Sequence, residues 1–209
     1  MNRLPGFVRQ HLAAVRGLLV FTVITGIVYP VAMWGLAQGL FHHSANGSLV
    51  SYKGRTVGSS LLCQEFVDAK GNPLPQYFQP RPSNATSGTS TDYGCNPLFS
   101  AASNLGPSNP KLIALIRQRQ EAIAKFDHVP VSKIPPDAVT ASGSGLDPNI
   151  SPAYAAIQVD RVAAARHVSP AQVRALVSQH TTARTIGVLG QPVVNVLTLN
   201  IALDDKYPG

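Results

Sequence analysis

The residues of this 209-residue chain that could carry chemistry lie in polar, irregular stretches and form no recognisable catalytic motif. The sequence has no phosphate-binding loop, dinucleotide-binding loop, zinc-protease helix or nucleophile elbow of the usual spacing. Its six histidines are scattered, and the one adjacent pair, His42-His43, would point to different faces of a helix. We therefore expect no catalytic residue, no metal site and no cofactor of the chain's own.

Three polar stretches are candidates for binding a partner or an ion, with ordinary turn and cap chemistry as the alternative interpretation. In the first, prolines on both sides of Arg81 restrict the backbone and would present the guanidinium rigidly. The second, residues 103–110, is dense in groups that cap helices and turns. The third, residues 140–148, leads into a predicted helix and could hold an anion on its backbone N–H groups. The candidate residues are Arg81, Ser83, Ser103, Asn104, Asn109, Ser142, Gly143, Gly145 and Asp147.

Three helices are predicted next to these stretches, each opened by a capping residue followed by proline. The opening pairs are Asn109-Pro110, Ser151-Pro152 and Ser169-Pro170. Gln172 completes a capping box with Ser169. The second helix should end near His167 and the third near His180.

A strand and a set of loops complete the predicted domain. Apolar residues alternate along residues 191–203, which predicts a strand buried on both faces, with Asp204-Asp205 as solvated charge beyond it. Residues 46–109 are rich in glycine, proline, serine, asparagine and threonine, a composition typical of loops, turns and a few short strands. The sequence therefore predicts an α+β domain over residues 42–209.

Residues 17–41 carry no charge and predict a membrane-spanning helix. At about 1.5 Å per residue the stretch would cover about 37 Å, enough to cross a hydrocarbon core of about 30 Å. Pro30 should kink this helix, and Gly35 and Gly39 would let another helix approach closely. A cleaved signal peptide is the alternative, although its apolar region would be shorter, at about 7–15 residues.

The charges on either side of residues 17–41 predict the orientation of the chain. Arg3, Arg9 and Arg16 precede the stretch, and no lysine or arginine follows until Lys53. Because basic residues favour the cytoplasmic side, residues 1–16 should be cytoplasmic and residues 42–209 should form an extracytoplasmic domain of a single-pass protein. In a bacterium that is the outer side of the inner (plasma) membrane.

The composition argues against binding to nucleic acid. The chain has 17 basic and 10 acidic residues, a net charge of +7, but only 13% of its residues are charged. Three of the basic residues lie before residue 17, so the rest of the chain is too sparsely charged to form a basic groove.

The two cysteines, Cys63 and Cys95, both fall in the predicted outer domain. Oxidising conditions there permit a disulfide, which would hold down the irregular segment between them. Sequence spacing does not show that the two thiols meet, and two buried free cysteines are the alternative.

Four runs of sequence resemble the C subunits of the Kdp potassium-transporting ATPases. The runs are YFQPRPS (77–83), SNLGPSNP (103–110), VTASGSGLDPNISPAYAAIQVDRVAAAR (139–166) and GQPVVNVLTLNIALD (190–204). The resemblance implies a non-catalytic accessory subunit of a high-affinity, ATP-driven potassium uptake complex, needed for assembly and pump activity. It implies as partners a channel-like potassium-translocating subunit (KdpA), a P-type ATPase subunit (KdpB), a small single-helix subunit (KdpF) and membrane lipid. ATP and potassium would act at the level of the complex.

The resemblance leaves two roles open for the outer domain. It would cap the potassium entrance of the channel-like subunit, or it would act as a catalytic chaperone that raises the ATP affinity of the P-type ATPase subunit. The second role would involve residues 143–158, ending at Gln158. The predicted orientation favours capping, because no ATP pool exists outside the cell. A membrane-anchored enzyme or solute-binding module acting alone is a third class, whose motifs the sequence lacks.

Overall fold

The computed structural model describes residues 5–90 and 92–208. The chain divides into two compact units, Met1–Ser48 and Leu49–Gly209. The prediction that Arg3 helps to orient the chain lies outside the described residues.

The first unit is one long apolar helix followed by a short one. α1 (Gly6–Val23), a π-helical turn (Ile24–Val28) and α2 (Tyr29–Leu40) form 35 continuous helical residues, and α3 (His42–Ala45) follows. An 18-residue window of the long helix has a mean hydropathy of 2.0, so it is long and apolar enough to cross a membrane. The helix begins before the uncharged stretch, because arginine is a good helix former.

The π-helical turn lies directly before Pro30, where the sequence predicts a disturbance of the helix. Proline lacks an N–H, and its ring clashes with the carbonyl group four residues earlier, here that of Gly26. The wider π-helical turn makes room for that carbonyl, and the Thr25 hydroxyl donates to the Phe21 carbonyl at 2.7 Å. The helix therefore continues through Pro30 as α2.

The second unit mixes short strands with five helices among its described residues. The antiparallel hairpin of β1 (Leu49–Tyr52) and β2 (Arg55–Ser59) opens it. An irregular segment follows, and the later elements are α4 (Pro110–Asp127), a 3₁₀ turn (Val131–Lys133), α5 (Pro136–Val139), β3 (Asn149–Ile150), α6 (Pro152–Ala165), α7 (Pro170–Gln179), β4 (Thr181–Thr182), β5 (Val193–Asn195) and α8 (Val196–Lys206). β5 is the central strand of an antiparallel sheet with the order β3-β5-β4.

The three predicted helix openings are confirmed. The Asn109 side chain accepts a hydrogen bond from the Lys111 N–H, and the Ser151 side chain accepts one from the Tyr154 N–H. Ser169 and Gln172 form both bonds of the predicted capping box. Local capping chemistry therefore fixes where α4, α6 and α7 begin.

The predicted C-terminal strand is wrong beyond its first residues. β5 ends at Asn195, whose side chain accepts a hydrogen bond from the Thr198 N–H and so caps α8. The fully buried residues Val196, Leu199 and Leu203 recur at helical spacing. The apolar residues of this run fit both the two-residue repeat of a strand and the repeat of a helix, and the Asn195 cap favours the helix.

The hydrophobic core lies where α6, α7 and α8 pack together beside β5. Val162, Val173 and Val194 are fully buried there, and Ile116 and Ile123 of α4 pack against the edge. Residues 60–109 have no regular helix or strand among those described, as their composition predicts. This irregular segment must be held by something other than backbone ladders.

Candidate functional site

Two buried amide side chains hold the segment Pro75–Gln79, here called the clamped segment. Asn200 of α8 accepts a hydrogen bond from the Phe78 N–H and donates one to the Phe78 carbonyl, both at 2.9 Å. Gln158 of α6 accepts from the Gln79 N–H at 2.7 Å and donates to the Gln79 carbonyl at 3.3 Å. Each amide side chain thus forms the pair of hydrogen bonds that a neighbouring strand would form, and it satisfies backbone groups that burial would otherwise leave unpaired.

Two arginines at α6 and its C-terminal end bind the rest of the clamped segment. Arg161 donates from Nη1 to the carbonyl groups of Pro75 and Tyr77, at 2.6 and 2.9 Å. Its Nε donates at 2.7 Å to Asp127, and both side chains are buried. Burial raises the pKa of Asp127, and Arg161 opposes that rise. This buried ion pair belongs to the scaffold.

Arg166 extends the same clamp to the C-terminus. Its Nε donates to the Gln76 carbonyl and its Nη1 to the Tyr207 carbonyl, both at 2.8 Å. Its Nη2 donates to Asp204 at 2.7 Å. The interpretation of Asp204 as solvated charge is therefore wrong, because α8 brings its carboxylate to a buried arginine.

The first and third predicted stretches meet in a second arrangement, here called the loop junction (residues 81–85, 95–101 and 142–147). The Ser83 hydroxyl donates to the Gly145 carbonyl at 2.6 Å and accepts from the N–H groups of Ala85 and Cys95. Cys95 Sγ is bonded to Cys63 Sγ at 1.99 Å, and the Cys63 N–H donates to the Leu146 carbonyl. One hydroxyl and one disulfide thus join segments far apart in sequence.

Gly145 is at the centre of the loop junction because no other residue fits there. Its φ of +73° is in the left-handed region that favours glycine. A Cβ at this position would lie 2.6 Å from the Ala101 carbonyl oxygen and 2.9 Å from the Ala85 nitrogen. The Ser142 hydroxyl accepts from the Gly145 N–H at 2.8 Å and fixes the turn.

Arg81 and Asp147 close one side of the loop junction with an ion pair of 2.8 Å. Arg81 also donates from Nη2 to the Thr140 carbonyl at 3.3 Å. Its Nε is buried and has no hydrogen-bond partner among the described residues. The two prolines beside Arg81 therefore direct its guanidinium to a partner within the chain, with both side chains of the pair still partly exposed.

The residues just before the second predicted stretch belong to the loop junction, and the stretch itself lies mostly on the surface. The Ala101 N–H and the Ser100 hydroxyl both donate to the Ser144 carbonyl, at 2.9 and 3.1 Å. Ser103 and Asn104, a little further on, are exposed. Asn109 lies apart from them as the cap of α4. The structure thus separates an exposed pair from a residue with a capping role.

Exposed apolar side chains flank the loop junction. Leu61, Leu98 and Phe99 are 59%, 86% and 42% exposed. Leu61 lines the same surface depression as Gly143 and Ser144, which has a volume of about 550 Å³. These exposed apolar groups make the surface beside the loop junction a candidate for contact with another protein.

The remaining sequence candidates are divided between the surface and the interior. Gly143 is exposed, whereas Gln158 is fully buried in the clamp. Gly35 and Gly39 lie on α2, where no atom outside the helix occupies the space that a Cβ would take. No group of three or more histidine, cysteine, aspartate or glutamate side chains among the described residues is placed to bind a metal ion.

Sequence reasoning missed the residues that hold the clamped segment: Arg161, Arg166, Asn200 and Asp204. One signal was present, because Asn200 lies in a mostly apolar run and a buried amide needs partners. Arg161 and Arg166 gave no such signal, because most of their hydrogen-bond partners are backbone carbonyl groups, which a sequence pattern does not reveal.

The chain matches a family of known proteins along almost its whole length. The family described as K+-transporting ATPase, c chain (KdpC) covers residues 11–205. The chain therefore belongs to the KdpC family, whose members are subunits of potassium-transporting ATPases.

Relatives from three bacteria, each named potassium-transporting ATPase KdpC subunit, agree with this assignment. The relative from Mycobacterium tuberculosis (strain ATCC 25618 / H37Rv) is 48% identical over 94% of this chain and 98% of its own length. The relative from Dechloromonas aromatica is 50% identical over 91% of this chain and 94% of its own length. The relative from Streptomyces avermitilis is 44% identical over 98% of this chain and 97% of its own length. The chain is thus an accessory subunit of potassium transport, and its long apolar helix fits anchoring in a membrane.

Proposed function

We propose that this chain is a non-catalytic accessory subunit whose outer domain caps the potassium entrance of a channel-like subunit and stabilises the assembly. Its partners would be the channel-like, P-type ATPase and single-helix subunits (KdpA, KdpB and KdpF), with lipid around its helix. It would bind no cofactor of its own, and ATP and potassium would act at the level of the complex.

The observation that carries this proposal is the loop junction. Segments that bear the family's motifs are fixed there by a disulfide, by Ser83 and by Gly145. Leu98 and Phe99, which belong to the loop junction, are exposed. A surface that is rigid before binding loses little conformational entropy when a partner docks, which favours a stable subunit contact.

The orientation is part of the proposal. Arg9 and Arg16 lie in α1, before the most apolar part of the helix. Basic residues at that end favour a cytoplasmic N-terminus and an extracytoplasmic outer domain in the bacterial inner membrane. A tag after residue 209 that is accessible only from outside the cell would agree, and a tag accessible only from the cytoplasm would reject the capping role.

The chaperone role for ATP is the second candidate, and one finding counts against its direct form. The Gln158 side chain is fully buried and bound to the Gln79 backbone. Residues 143–158 could therefore not offer that amide to a nucleotide without opening the clamp. An indirect effect through the membrane helix remains the form of this candidate to be tested.

Purification from potassium-starved cells tests the accessory role. The tagged chain, isolated in mild detergent, should bring a P-type ATPase and a channel-like protein in a fixed ratio, identified by mass spectrometry. Recovery of a folded chain alone would contradict the proposal.

Surface substitutions test the capping role. Asn104→Ala, Arg81→Gln and Leu98→Asp should lower the apparent potassium affinity of the complex or its yield. Ile186→Asp is the control, because Ile186 is similarly exposed, at 81%, on a turn that is not part of the loop junction. Unchanged yield and potassium affinity in all three test variants would contradict capping.

A further inference from the structure

Glu65 is a half-buried carboxylate that has no partner in the described part of the chain. It forms no hydrogen bond and no ion pair there, and burial raises its pKa to about 7. Its Oε1 packs against Gly94, where a Cβ would lie only 2.9 Å away. Partly buried charged groups are normally paired, so an unpaired one calls for an explanation.

Glu65 lines a cleft of about 390 Å³, a volume within the range of ligand-binding pockets. Aromatic rings and prolines form part of its walls: Pro73, Pro80, Pro82, Tyr93, Phe126 and Tyr154. Tyr154 is 4% exposed, and its hydroxyl has no hydrogen-bond partner among the described residues. The cleft thus combines apolar walls with the unpaired Glu65 carboxylate and Tyr154 hydroxyl, and Arg81, whose Nε also lacks a partner among the described residues, lines it too.

The other charges of the cleft are mostly compensated. Arg81 pairs with Asp147, and Asp127 pairs with Arg161. Arg119 donates to the Val139 carbonyl at 2.9 Å. None of these cations lowers the pKa of Glu65, for which burial is the cause. Glu65 also lines a second depression together with Asp92, and hydrogen bonds from Ser87 lower the pKa of Asp92 to about 2.

We propose that the Glu65 cleft receives a lysine or arginine side chain from another subunit of the transport complex. An ammonium or guanidinium group would pair with the carboxylate, and its alkyl stem would pack against the rings and prolines. The cleft has room for one long side chain. This inference rests on the proposed function, since it requires a partner subunit.

The pairing depends on pH in a defined direction. A cation binds the ionised carboxylate, so the contact strengthens as the pH rises through about 7. The titratable and charged groups that face Glu65 across the two depressions are Arg81, Asp92, Tyr93, Arg119, Asp127 and Tyr154. Burial raises the pKa of Tyr154, so its hydroxyl stays neutral across this range.

The test compares Glu65→Gln with Glu121→Gln in the assembled complex. Both variants remove one negative charge, and Glu121 lies exposed on α4. With the tag on the ATPase subunit, retention of this chain through salt washes is measured between pH 6 and pH 8.5. Wild type and Glu121→Gln should be retained better at the higher pH. Glu65→Gln should lose this pH dependence and dissociate about tenfold faster at pH 8.

Zero-length carbodiimide cross-linking of the wild-type complex supplies a measurement that needs no variant. A peptide that joins Glu65 to a lysine of another subunit supports the proposal directly. The proposal would be overturned if the Glu65→Gln variant were retained as well as the wild type at every pH and no cross-link formed from Glu65. If spermidine protected Glu65 from the carbodiimide while the assembly of the complex stayed unchanged, the proposal would also be overturned. The ligand of the cleft would then be a free amine. Failure of the wild-type complex to assemble would instead reject the proposed function.

Discussion

The clamped segment is followed in sequence by the first part of the loop junction, residues 81–85, and different interactions hold the two arrangements. Buried side chains from α6 and α8 bind almost every backbone group of the clamped segment. The loop junction is fixed near the surface by a covalent bond, a serine hydroxyl and a glycine turn. The first arrangement keeps a motif inside the fold, and the second is the one that we propose contacts a partner.

The same contrast separates the arginines of the two arrangements. Arg161 is buried and serves the scaffold, whereas Arg81 keeps part of its ion pair exposed. Loss of a scaffold contact should unfold the domain. Loss of a junction contact should change how the subunit works in the complex at a smaller cost in stability.

Arg161→Met should have the largest effect on stability. It leaves Asp127 buried without its cation and the carbonyl groups of Pro75 and Tyr77 without their donor. We expect a loss of about 3–5 kcal/mol in the free energy of unfolding. Chemical denaturation of the full chain in detergent measures it. A loss below about 1 kcal/mol would show that the clamp is not what holds the segment.

The double variant Cys63→Ala/Cys95→Ala should cost less, about 2–4 kcal/mol. The bond spans 32 residues of irregular chain and limits the unfolded ensemble. Reduction of the wild-type chain should lower its unfolding free energy by a similar amount. If the double variant instead matched Arg161→Met, the junction would be as much part of the scaffold as the clamp.

The stability of the chain should depend on Glu65 between about pH 4.5 and pH 7. Burial raises the pKa of this carboxyl, so the folded chain binds the proton more tightly than the unfolded chain. The unfolding free energy therefore falls as the pH rises through this window, by on the order of 1–3 kcal/mol. Glu65→Gln should remove that part of the slope. An unchanged slope would mean that another group is responsible.

Gly145→Ala tests the turn at the centre of the loop junction. The added Cβ meets the Ala101 carbonyl oxygen at 2.6 Å with φ at +73°. We expect a loss of about 1–3 kcal/mol in the free energy of unfolding, together with weaker assembly. Gly143→Ala is the matched control, because open space surrounds Gly143.

Arg174→Ala should have the smallest effect. Its ion pair with Asp160 is exposed on both sides, at 60% and 71%. Exposed pairs of this kind contribute about 0.2–1 kcal/mol. A loss above about 2 kcal/mol would contradict this expectation. It would show that a short distance between the charged groups is enough for an ion pair of this chain to stabilise the fold, even without burial.

Capping residues made three helices of the second unit predictable, namely α4, α6 and α7, whereas the conformation of the loops was less predictable. Asn109, Ser151 and Ser169 each act within three residues, so the sequence contains the whole signal. Residues 191–203 fit two periods at once, and only the Asn195 cap separates the strand from the helix.

The sequence predicted most of the residues that form the candidate site, but it predicted only in part how they are arranged. Arg81, Ser83, Gly145 and Asp147 are candidates by residue type, and the structure brings these four together. Gln158 is a candidate only through the family resemblance, and it lies in the interior. Contacts between distant segments, such as those of Asn200 with Phe78, depend on tertiary packing, which no local pattern records.

The most direct test of the account is the potassium and ATP dependence of ATP hydrolysis by the purified complex that carries Leu98→Asp. We predict a higher half-saturating potassium concentration, an unchanged half-saturating ATP concentration and wild-type behaviour of the Ile186→Asp control. A raised ATP requirement with unchanged potassium dependence would contradict the capping role and support the chaperone role.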